Sequence, residues 1–296
     1  SNVTAFVTVA DDGGSSGRLR EELGIIPPGD LRNCLVALAD TEPLMEKLFQ
    51  YRFQSGTELK GHSFGNLFIA AMAEVTGDIE EALKQSSKVL AVKGRVLPAS
   101  TAHVRLDAVM EDGTLVEGES HIPEVHKHIR RVKLFPEHVA PVESALEAIR
   151  EADVVILGPG SLYTSIMPNL LVDGVAEALR KSRALKIYIC NVLTQPGETD
   201  DYTASMHAKA ILDHAGKGAI DYMLVNVTPL PYAAARLLKE EGIRPVAIDE
   251  DAINALGVGV VKADLVNSDD VAHHDSGKLM KNVMKMAYKL HPGIGK

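Results

Sequence analysis

The segment AFVTVADDGGSSGR, residues 5–18, decides the fold class. Its first part, residues 5–10, is apolar and rich in β-branched side chains, which is typical of a parallel strand covered on both faces. Two carboxylates, Asp11 and Asp12, follow this strand directly and open a loop of glycines and serines. This order favours an α/β fold, because ligands of such folds bind at the carboxyl ends of the strands.

The alternation of strand and helix recurs along the chain. Strands are predicted at residues 154–157, 185–190, 223–226 and 245–248, and helices at residues 31–39, 67–75, 171–181, 203–215, 232–241 and 278–290. Asp78 followed by Glu81 is a capping-box pattern that predicts one more helix start. We therefore predict a single α/β domain over residues 1–296, with a Rossmann-like, mostly parallel sheet and helices on both faces. Residues 92–135 alternate with period two and predict a small β-rich insertion with a hairpin turn at 112–113.

Composition narrows the classes of function. The 296 residues carry a formal net charge of −9, and no dense Lys/Arg run marks a nucleic-acid binder. The most basic stretch, residues 126–133, is short enough for a solvated loop. Cys34 and Cys190 lie in apolar contexts, which predicts buried, reduced thiols. With neither a leader nor a membrane-length apolar run in view, we expect a cytoplasmic protein with no membrane partner.

The loop after the first strand carries the chemistry of a phosphate site. Glycines let the backbone approach a ligand, and successive N–H groups and hydroxyls cradle phosphate oxygens. Arg18 would add a bidentate contact, and Asp11 or Asp12 would hold a divalent cation. A tight turn accounts for the glycines but not for the acids and the arginine. The predicted ligand residues of this loop are Asp11, Asp12, Gly13, Gly14, Ser15, Ser16 and Arg18.

Two loops downstream offer further polar groups. In PPGDLRN, residues 27–33, helix capping and ligand binding are equally good interpretations. In GHSFGN, residues 61–66, Ser63 would cap a helix and His62 would act as a general acid or base or as a ligand donor. The predicted ligand residues of these two loops are Asp30, Arg32, Asn33, His62, Ser63 and Asn66.

Two more loops follow predicted strands in the second half of the chain. GPGS at residues 158–161 suits a second anion-binding turn better than a plain tight turn. The polar groups at 191–195 suit the reading of a base or sugar, and an ordinary polar loop is an equally good interpretation of them. Tyr232 would stack on a ring or pack in the core, and residues 273–275 resemble a solvated helix entrance. The predicted ligand residues are Gly158, Gly160, Ser161, Asn191, Thr194, Gln195 and Tyr232. Together the five loops are expected to line one cleft at the carboxyl edge of the sheet.

Five long motifs resemble one family, the bacterial gluconeogenesis factors, also called YvcK-like. They are VTVADDGGSSGRLR, PPGDLRN, GHSFGNL, GPGSLYTSIMPNLL and NVLTQPGETDDYT. This family is related to the CofD-like 2-phospho-L-lactate transferases of deazaflavin cofactor synthesis. The resemblance implies a cytoplasmic protein with a role in gluconeogenic growth, cell shape and wall synthesis. It also implies that nucleotide sugars such as UDP-N-acetylglucosamine bind, with NAD as another occupant.

The resemblance also assigns roles to residues. The acidic pair Asp11 and Asp12 would bind Mg²⁺ and nucleotide phosphates, and Tyr232 would contact the sugar nucleotide. The family pattern has a further strand and a GGGTG-like loop upstream of Ser1, and an Arg-His-Asp triplet where this chain has residues 273–275, His-His-Asp.

Three functions follow from this reading. The first is a nucleotide-sugar-binding regulator, which the forms of PPGDLRN and GHSFGNL favour. The second is a metal-dependent transferase that moves a phospholactyl-type group onto a deazaflavin. The third, an NAD-dependent dehydrogenase, is the weakest, because no catalytic base paired with a substrate-orienting arginine is evident. The expected partner is a nucleotide-type small molecule, and the chain is expected to form a homo-oligomer.

Overall fold

The structure is a computed structural model that describes residues 2–231, 236, 238, 240–267 and 273–290. Its strands are β1 (Thr4–Val7), β2 (Arg95–Pro98), β3 (Arg105–Met110), β4 (Leu115–Glu117), β5 (Ile129–Phe135), β6 (Val154–Leu157), β7 (Leu185–Ile189), β8 (Tyr222–Asn226) and β9 (Gly259–Ala263). Its helices are α1 (Gly14–Leu23), α2 (Gly29–Ala37), α3 (Pro43–Gln50), α4 (Phe64–Thr76), α5 (Ile79–Val89), α6 (Glu143–Glu151), α7 (Met167–Leu170), α8 (Val175–Lys181), α9 (Ala204–Ala215), α10 (Glu250–Ala255) and α11 (Ser276–Leu290).

The chain forms two compact units. Unit 1 comprises residues 1–107, 117–121 and 133–148, and unit 2 comprises residues 108–116, 122–132 and 149–296. A three-stranded sheet has the order β4-β3-β5. Its first two strands are joined by the predicted hairpin turn, where the amide of Met110 donates to the carbonyl of Thr114 at 2.9 Å.

Unit 1 is built on a parallel pair of strands. β1 pairs with β2 in a register that runs from Thr4 opposite Arg95 to Val7 opposite Pro98. Its helices contribute fully buried side chains such as Leu31, Leu35, Phe49, Ile69 and Leu83. α5 begins at the predicted cap, because the side chain of Asp78 accepts the amide of Glu81 at 2.7 Å. Such a cap stabilises a helix by about 1 kcal/mol.

Unit 2 contains a four-stranded parallel sheet of order β6-β7-β8-β9. All five residues of β7 are buried, as expected for a parallel strand covered on both faces. Ile187, Ile189 and Leu224 form a core cluster with Val283 and Met286 of α11. Successive parallel strands joined by helices place all their carboxyl ends at one edge of this sheet.

The α/β prediction with parallel sheets is confirmed, and two predicted elements are wrong. Residues 245–248 form no strand: Pro245 and Ala247 make only isolated bridges, because proline has no N–H to give to a ladder. The predicted helix at 171–181 is broken before α8, where Gly174 has a φ of 79°. The predicted helix at 232–241, including Tyr232, lies largely outside the described residues.

The strand that prediction missed is β9. Its first residue, Gly259, lies opposite Tyr222 in the ladder, and a Cβ there would come within 2.5 Å of the tyrosine ring. The glycine is therefore a packing requirement, whereas in the sequence it interrupts the strand pattern.

The two cysteines are free thiols, and they differ in burial. Cys190 is buried as expected, whereas Cys34 is only half-buried. Burial, with the nearby carboxylate of Asp30, raises the pKa of Cys34 to about 11. The thiol of Cys34 is therefore neutral near pH 7, which argues against a nucleophilic role.

Candidate functional site

A group of polar side chains in unit 1 centres on one serine. This Ser15 cluster comprises residues 11–18, 28–33 and 60–66, from the loop after β1 and the starts of α2 and α4. The hydroxyl oxygen of Ser15 lies 3.0 Å from Nδ1 of His62. It accepts the side-chain amide of Asn66 at 3.2 Å and the backbone N–H of Ser63 at 3.4 Å. Because both lone pairs of the Ser15 hydroxyl oxygen accept hydrogen bonds, its proton is donated to His62, whose Nδ1 is then unprotonated.

Glycines bring the three segments of the Ser15 cluster into contact. A Cβ on Gly17 would lie 2.1 Å from the carbonyl oxygen of Asp12. A Cβ on Gly29 would lie 2.5 Å from the Ser16 hydroxyl and 3.3 Å from Asp11 Oδ2. A side chain at Gly17 would push α1 away from the acidic loop, and one at Gly29 would push α2 away. These glycines therefore set the geometry of the cluster as well as its flexibility.

Arg32 crosses the cluster from α2 to the start of α4. Its Nη1 donates to the hydroxyl of Ser63 at 3.0 Å and its Nη2 to the side-chain oxygen of Asn33 at 2.7 Å. Ser63 occupies the predicted N-cap position, yet its side chain makes no capping bond and donates instead to the carbonyl of Phe49 at 3.3 Å. Within the described residues, Arg32 Nε and Asn66 Oδ1 are buried without a hydrogen-bond partner.

The two predicted metal ligands differ in their surroundings. Both carboxylate oxygens of Asp12 accept backbone amides, from Glu119 and Ser120, each at 2.9 Å. One oxygen of Asp11 accepts the amide of Gly13 at 2.9 Å, which leaves Oδ2 beside Gly29. Asp12 therefore fits a structural role better than a metal-ligand role. No group of three or more His, Cys, Asp or Glu side chains suited to a metal ion occurs in the described part of the chain.

The electrostatics of the Ser15 cluster are mixed. Burial, followed by the neighbouring charge of Asp11, raises the pKa of Asp30. Burial, followed by the positive charge of Arg18, lowers the pKa of His62. A histidine with a lowered pKa loses its proton at a lower pH, so the imidazole of His62 is neutral near pH 7. The cluster thus combines a neutral imidazole with three carboxylates and two guanidinium groups.

A second group of polar side chains lies in unit 2, after β6 and β7. This Asn191 cluster comprises residues 158–165 and 191–199. The side-chain amide of Asn191 donates to the carbonyl of Gly160 at 3.0 Å and to Gln195 Oε1 at 3.4 Å. Gln195 Nε2 in turn donates to the hydroxyl of Ser161 at 2.7 Å. Because β6 and β7 are parallel neighbours, their carboxyl ends deliver these three side chains to one place.

Thr194 is placed differently from its neighbours in the sequence. Its amide donates to the carbonyl of Arg244 at 2.8 Å, and its hydroxyl accepts the amide of Arg244 at 3.0 Å. Both groups therefore hold the backbone that follows residue 243, which is a structural use of this side chain.

Glu198 is a residue of the Asn191 cluster that sequence reasoning passed over. Its carboxylate accepts the hydroxyl of Thr164 at 3.2 Å and the backbone amides of Tyr163 and Thr164. These N–H groups lie just after the predicted anion-binding turn GPGS, and the protein's own carboxylate uses them. Burial raises the pKa of Glu198, and within the described residues its Oε2 has no partner. The signal in the sequence was an acid placed directly after a glycine in NVLTQPGE.

A groove of about 300 Å³ opens at the carboxyl ends of β7 and β8 in unit 2. Sequence reasoning did not find it, because its walls come from separate loops. Its lining is mainly apolar, with two polar side chains: Val192, Leu230, Val246 and Ile248, together with Asn226 and Thr228. A groove of this size and lining suits a flat ring of a small ligand.

The chain is similar to known proteins in both sequence and structure. Residues 1–266 match the sequence profile of the family described as 2-phospho-L-lactate transferase CofD. The chain belongs to the CofD family. No helix in the described part of this CofD-family chain is long and apolar enough to cross a membrane.

Close relatives of this CofD-family chain carry one name. It is 53% identical over 285 residues to the gluconeogenesis factor of Halalkalibacterium halodurans, covering 96% of this chain and 88% of the relative. It is 54% identical over 279 residues to the gluconeogenesis factor of Bacillus subtilis, covering 94% of this chain and 88% of the relative. A crystal structure of a UPF0052-family protein from Bacillus halodurans superimposes with a TM-score of 0.93 at 53% identity, covering 96% of this chain and 91% of that one.

Proposed function

We propose that this chain is a cytoplasmic, nucleotide-sugar-binding gluconeogenesis factor. The ligand is of the UDP-N-acetylglucosamine type, and the protein is needed for cell shape during gluconeogenic growth. The observation that carries the proposal is the Ser15 cluster, where Ser15, Arg32 and Asn66 gather hydroxyl, guanidinium and amide groups around a neutral His62. Guanidinium groups bind phosphate oxygens, and Arg32 keeps a buried Nε without a partner among the described residues. The names of the relatives support the gluconeogenic part of the proposal.

The Asn191 cluster supports a ligand that carries more than phosphate. Amides such as those of Asn191 and Gln195 present a donor and an acceptor side by side, which is how proteins recognise the edges of bases and sugar hydroxyls. The groove beside Val192 and Asn226 offers apolar walls for a ring. The base ring and the sugar hydroxyls of a nucleotide sugar therefore have chemical matches within unit 2.

A metal-dependent 2-phospho-L-lactate transferase is the second candidate, because the matched family profile carries that description. The Mg²⁺ of such a reaction would neutralise the charge on the nucleotide phosphates. Asp11, which keeps Oδ2 beside Gly29, is the better placed of the two predicted ligands, since Asp12 is engaged by two amides. NAD is a third ligand type to be tested for binding.

Calorimetry and product analysis would separate these candidates. The purified chain is titrated with UDP-N-acetylglucosamine, NAD, GDP and a deazaflavin, with and without Mg²⁺. It is also incubated with the deazaflavin and a nucleotide-activated phospholactate, which would donate the phospholactyl group and release the nucleoside monophosphate. Saturable binding of the UDP-sugar without turnover is the expected result. Metal-dependent formation of a phospholactyl-deazaflavin product would reject the regulator and support the transferase. Binding of NAD alone would reject both.

The physiological part needs a separate test in cells. A bacterial strain lacking its own gluconeogenesis factor would be given this chain and grown on a gluconeogenic carbon source and on glucose. Restored growth and rod shape on the gluconeogenic source is expected. A chain that is stably produced and binds the UDP-sugar, but does not restore either property, would contradict the assigned role.

A further inference from the structure

Three arginines of unit 1 converge on four consecutive residues. Arg18 Nη2 donates to the carbonyl of Lys60 at 3.0 Å. Arg52 Nη1 donates to the carbonyl of Gly61. Arg32 Nη1 donates to the hydroxyl of Ser63 at 3.0 Å. The three guanidinium groups come from α1, from α2 and from the segment after α3, so the fold gathers them from separate parts of the sequence. They flank the segment 60–63. We call this segment, together with the three arginines that hold it, the arginine strap.

The guanidinium groups at the arginine strap bond to backbone and hydroxyl oxygens. In the part of the chain that the structure describes, none of the three arginines forms an ion pair with a carboxylate. Burial, and then Arg52, lowers the pKa of Arg32, although Asp30 acts in the opposite direction. His62 faces Arg18, Arg52 and Glu22, and the two arginines add to the effect of burial in lowering its pKa. Like charges held together in a chain of net charge −9 are typical of an anion site.

Unused hydrogen-bond donors lie at the same place. Arg32 Nε is buried and lacks a partner among the described residues. The 13-residue helix α4 begins directly after the strap, and the side chain of its N-cap residue, Ser63, leaves the first amides uncapped. The amide of Phe64 is used by the carbonyl of Tyr51, whereas the next N–H groups of the first turn have no acceptor inside the helix. A helix start with a free guanidinium N–H attracts oxyanions.

Gly65 keeps this helix start close to Arg32. A Cβ at Gly65 would lie 2.6 Å from the carbonyl of Phe49 and 2.7 Å from Arg32 Cδ. The stem of Arg32 therefore packs against the backbone of the first turn, with its guanidinium held beside the amides. Only glycine allows this approach.

We propose that the arginine strap and the start of α4 bind a diphosphate group, with Arg18, Arg32 and Arg52 as its cationic contacts. Arg52 is a ligand contact that the sequence motifs do not include. The inference deepens the proposed function, and rests on it only for the source of the diphosphate, a nucleotide sugar. Exchange of backbone carbonyl bonds for phosphate bonds would need rotation of the ends of Arg18, which is half-buried, and Arg52, which is exposed.

The test uses pyrophosphate as the probe, in the full chain at low ionic strength, since salt screens such contacts. Calorimetry compares the unchanged protein with Arg52→Gln and Arg52→Lys. The matched control is Arg130→Gln, which removes the same charge at an exposed position of unit 2. We expect Arg52→Gln to weaken pyrophosphate binding roughly tenfold, Arg52→Lys to weaken it less, and the control to leave it unchanged. Equal affinity in all four proteins, or an equal loss in the control, would overturn the inference.

Two further measurements keep the outcome interpretable. Thermal unfolding of each variant establishes that it is folded, and Arg32→Lys provides a second variant inside the strap, expected to lose affinity because lysine lacks the Nε donor. Titration with UDP-N-acetylglucosamine separates the two proposals. Pyrophosphate binding that depends on Arg52, without UDP-sugar binding, would reject the proposed function and support the strap. UDP-sugar binding that Arg52→Gln leaves intact would reject the strap and support the proposed function.

Discussion

The hydroxyl oxygen of Ser15 lies 3.0 Å from Nδ1 of His62, although 47 positions separate the two residues in the chain. Both side chains are buried, at 4% and 5% exposure. The contact joins the loop after β1 to the start of α4, and it connects two motifs that are independent in the sequence. It therefore makes Ser15 a connecting residue of the cluster as well as a predicted phosphate contact.

Removal of the Ser15 hydroxyl is expected to destabilise the protein. In Ser15→Ala, the amide of Ser63 and the side chain of Asn66 lose their acceptor in a buried environment. An unsatisfied buried donor costs about 1–3 kcal/mol. Urea unfolding would measure the change, with Ser55→Ala, at an exposed position of unit 1, as the control. A loss no larger than that of the control would contradict the connecting role.

Gly17→Ala is expected to be more damaging than Gly13→Ala in the same loop. A Cβ at Gly17 would lie 2.1 Å from the Asp12 carbonyl oxygen, whereas one at Gly13 would lie 3.4 Å from its nearest neighbour. Steric overlap with backbone has to move α1, and overpacking of this kind costs about 1–3 kcal/mol or more. Thermal unfolding of the two variants tests the difference, and equal midpoints would show that α1 yields without cost.

Glu198 should make stability depend on pH in a defined direction. Burial raises the pKa of this carboxyl, so in the window between its unfolded and folded pKa values the native state binds more protons than the unfolded state. Stability contributed by the protonated form is present below that window and is lost as the pH rises through the folded pKa. Glu198→Gln stays uncharged and removes this dependence.

The measurement is the free energy of unfolding of the unchanged protein minus that of Glu198→Gln, taken at several pH values. This difference is expected to move in favour of the variant as the pH rises above the normal range of a glutamate. A difference that is constant with pH, or that moves the other way, would mean that the carboxylate is already stabilised in its charged form by the amides of Tyr163 and Thr164.

The Asn191 cluster should affect nucleotide-sugar binding without affecting pyrophosphate binding. Gln195→Met keeps the size of the side chain but removes its bonds to Ser161 and Asn191. We expect a loss of UDP-N-acetylglucosamine affinity of roughly tenfold, the effect of one or two hydrogen bonds. Gln50→Met, at an exposed position of α3, is the control. Unchanged UDP-sugar affinity in Gln195→Met would remove this cluster from the proposed site.

The grouping of the motifs was predictable where strand order decides it. The loops after β6 and β7 meet because parallel neighbours share an edge, and this follows from strand–helix alternation alone. The loop after β1 and the starts of α2 and α4 also meet within unit 1, as Ser15, Gly29 and Asn66 establish. The expectation of one cleft lined by all five loops stays a prediction.

Other features could not be predicted, because they depend on contacts between distant residues that leave no pattern in the sequence. Arg52 lies between α3 and α4 in a segment with no regular pattern, and an isolated bridge to Ser63 together with a side-chain bond to the Gly61 carbonyl brings it to the cluster. Asp12 was predicted as a metal ligand from its type, but its partners are amides more than 100 positions away, at Glu119 and Ser120. Strand β9 was not predicted because Gly259 interrupts its strand pattern. Only glycine fits at this position, because the ring of Tyr222 lies against it across the ladder.

The central claim, that this CofD-family chain binds a nucleotide sugar through the Ser15 cluster, is tested most directly by one calorimetric comparison. UDP-N-acetylglucosamine is titrated into the unchanged protein, into Arg32→Gln and into the Arg130→Gln control. Saturable binding to the unchanged protein and the control, with affinity for Arg32→Gln lower by roughly tenfold or more, is the predicted result. Absence of binding to the unchanged protein, or equal affinity in all three folded proteins, would contradict it.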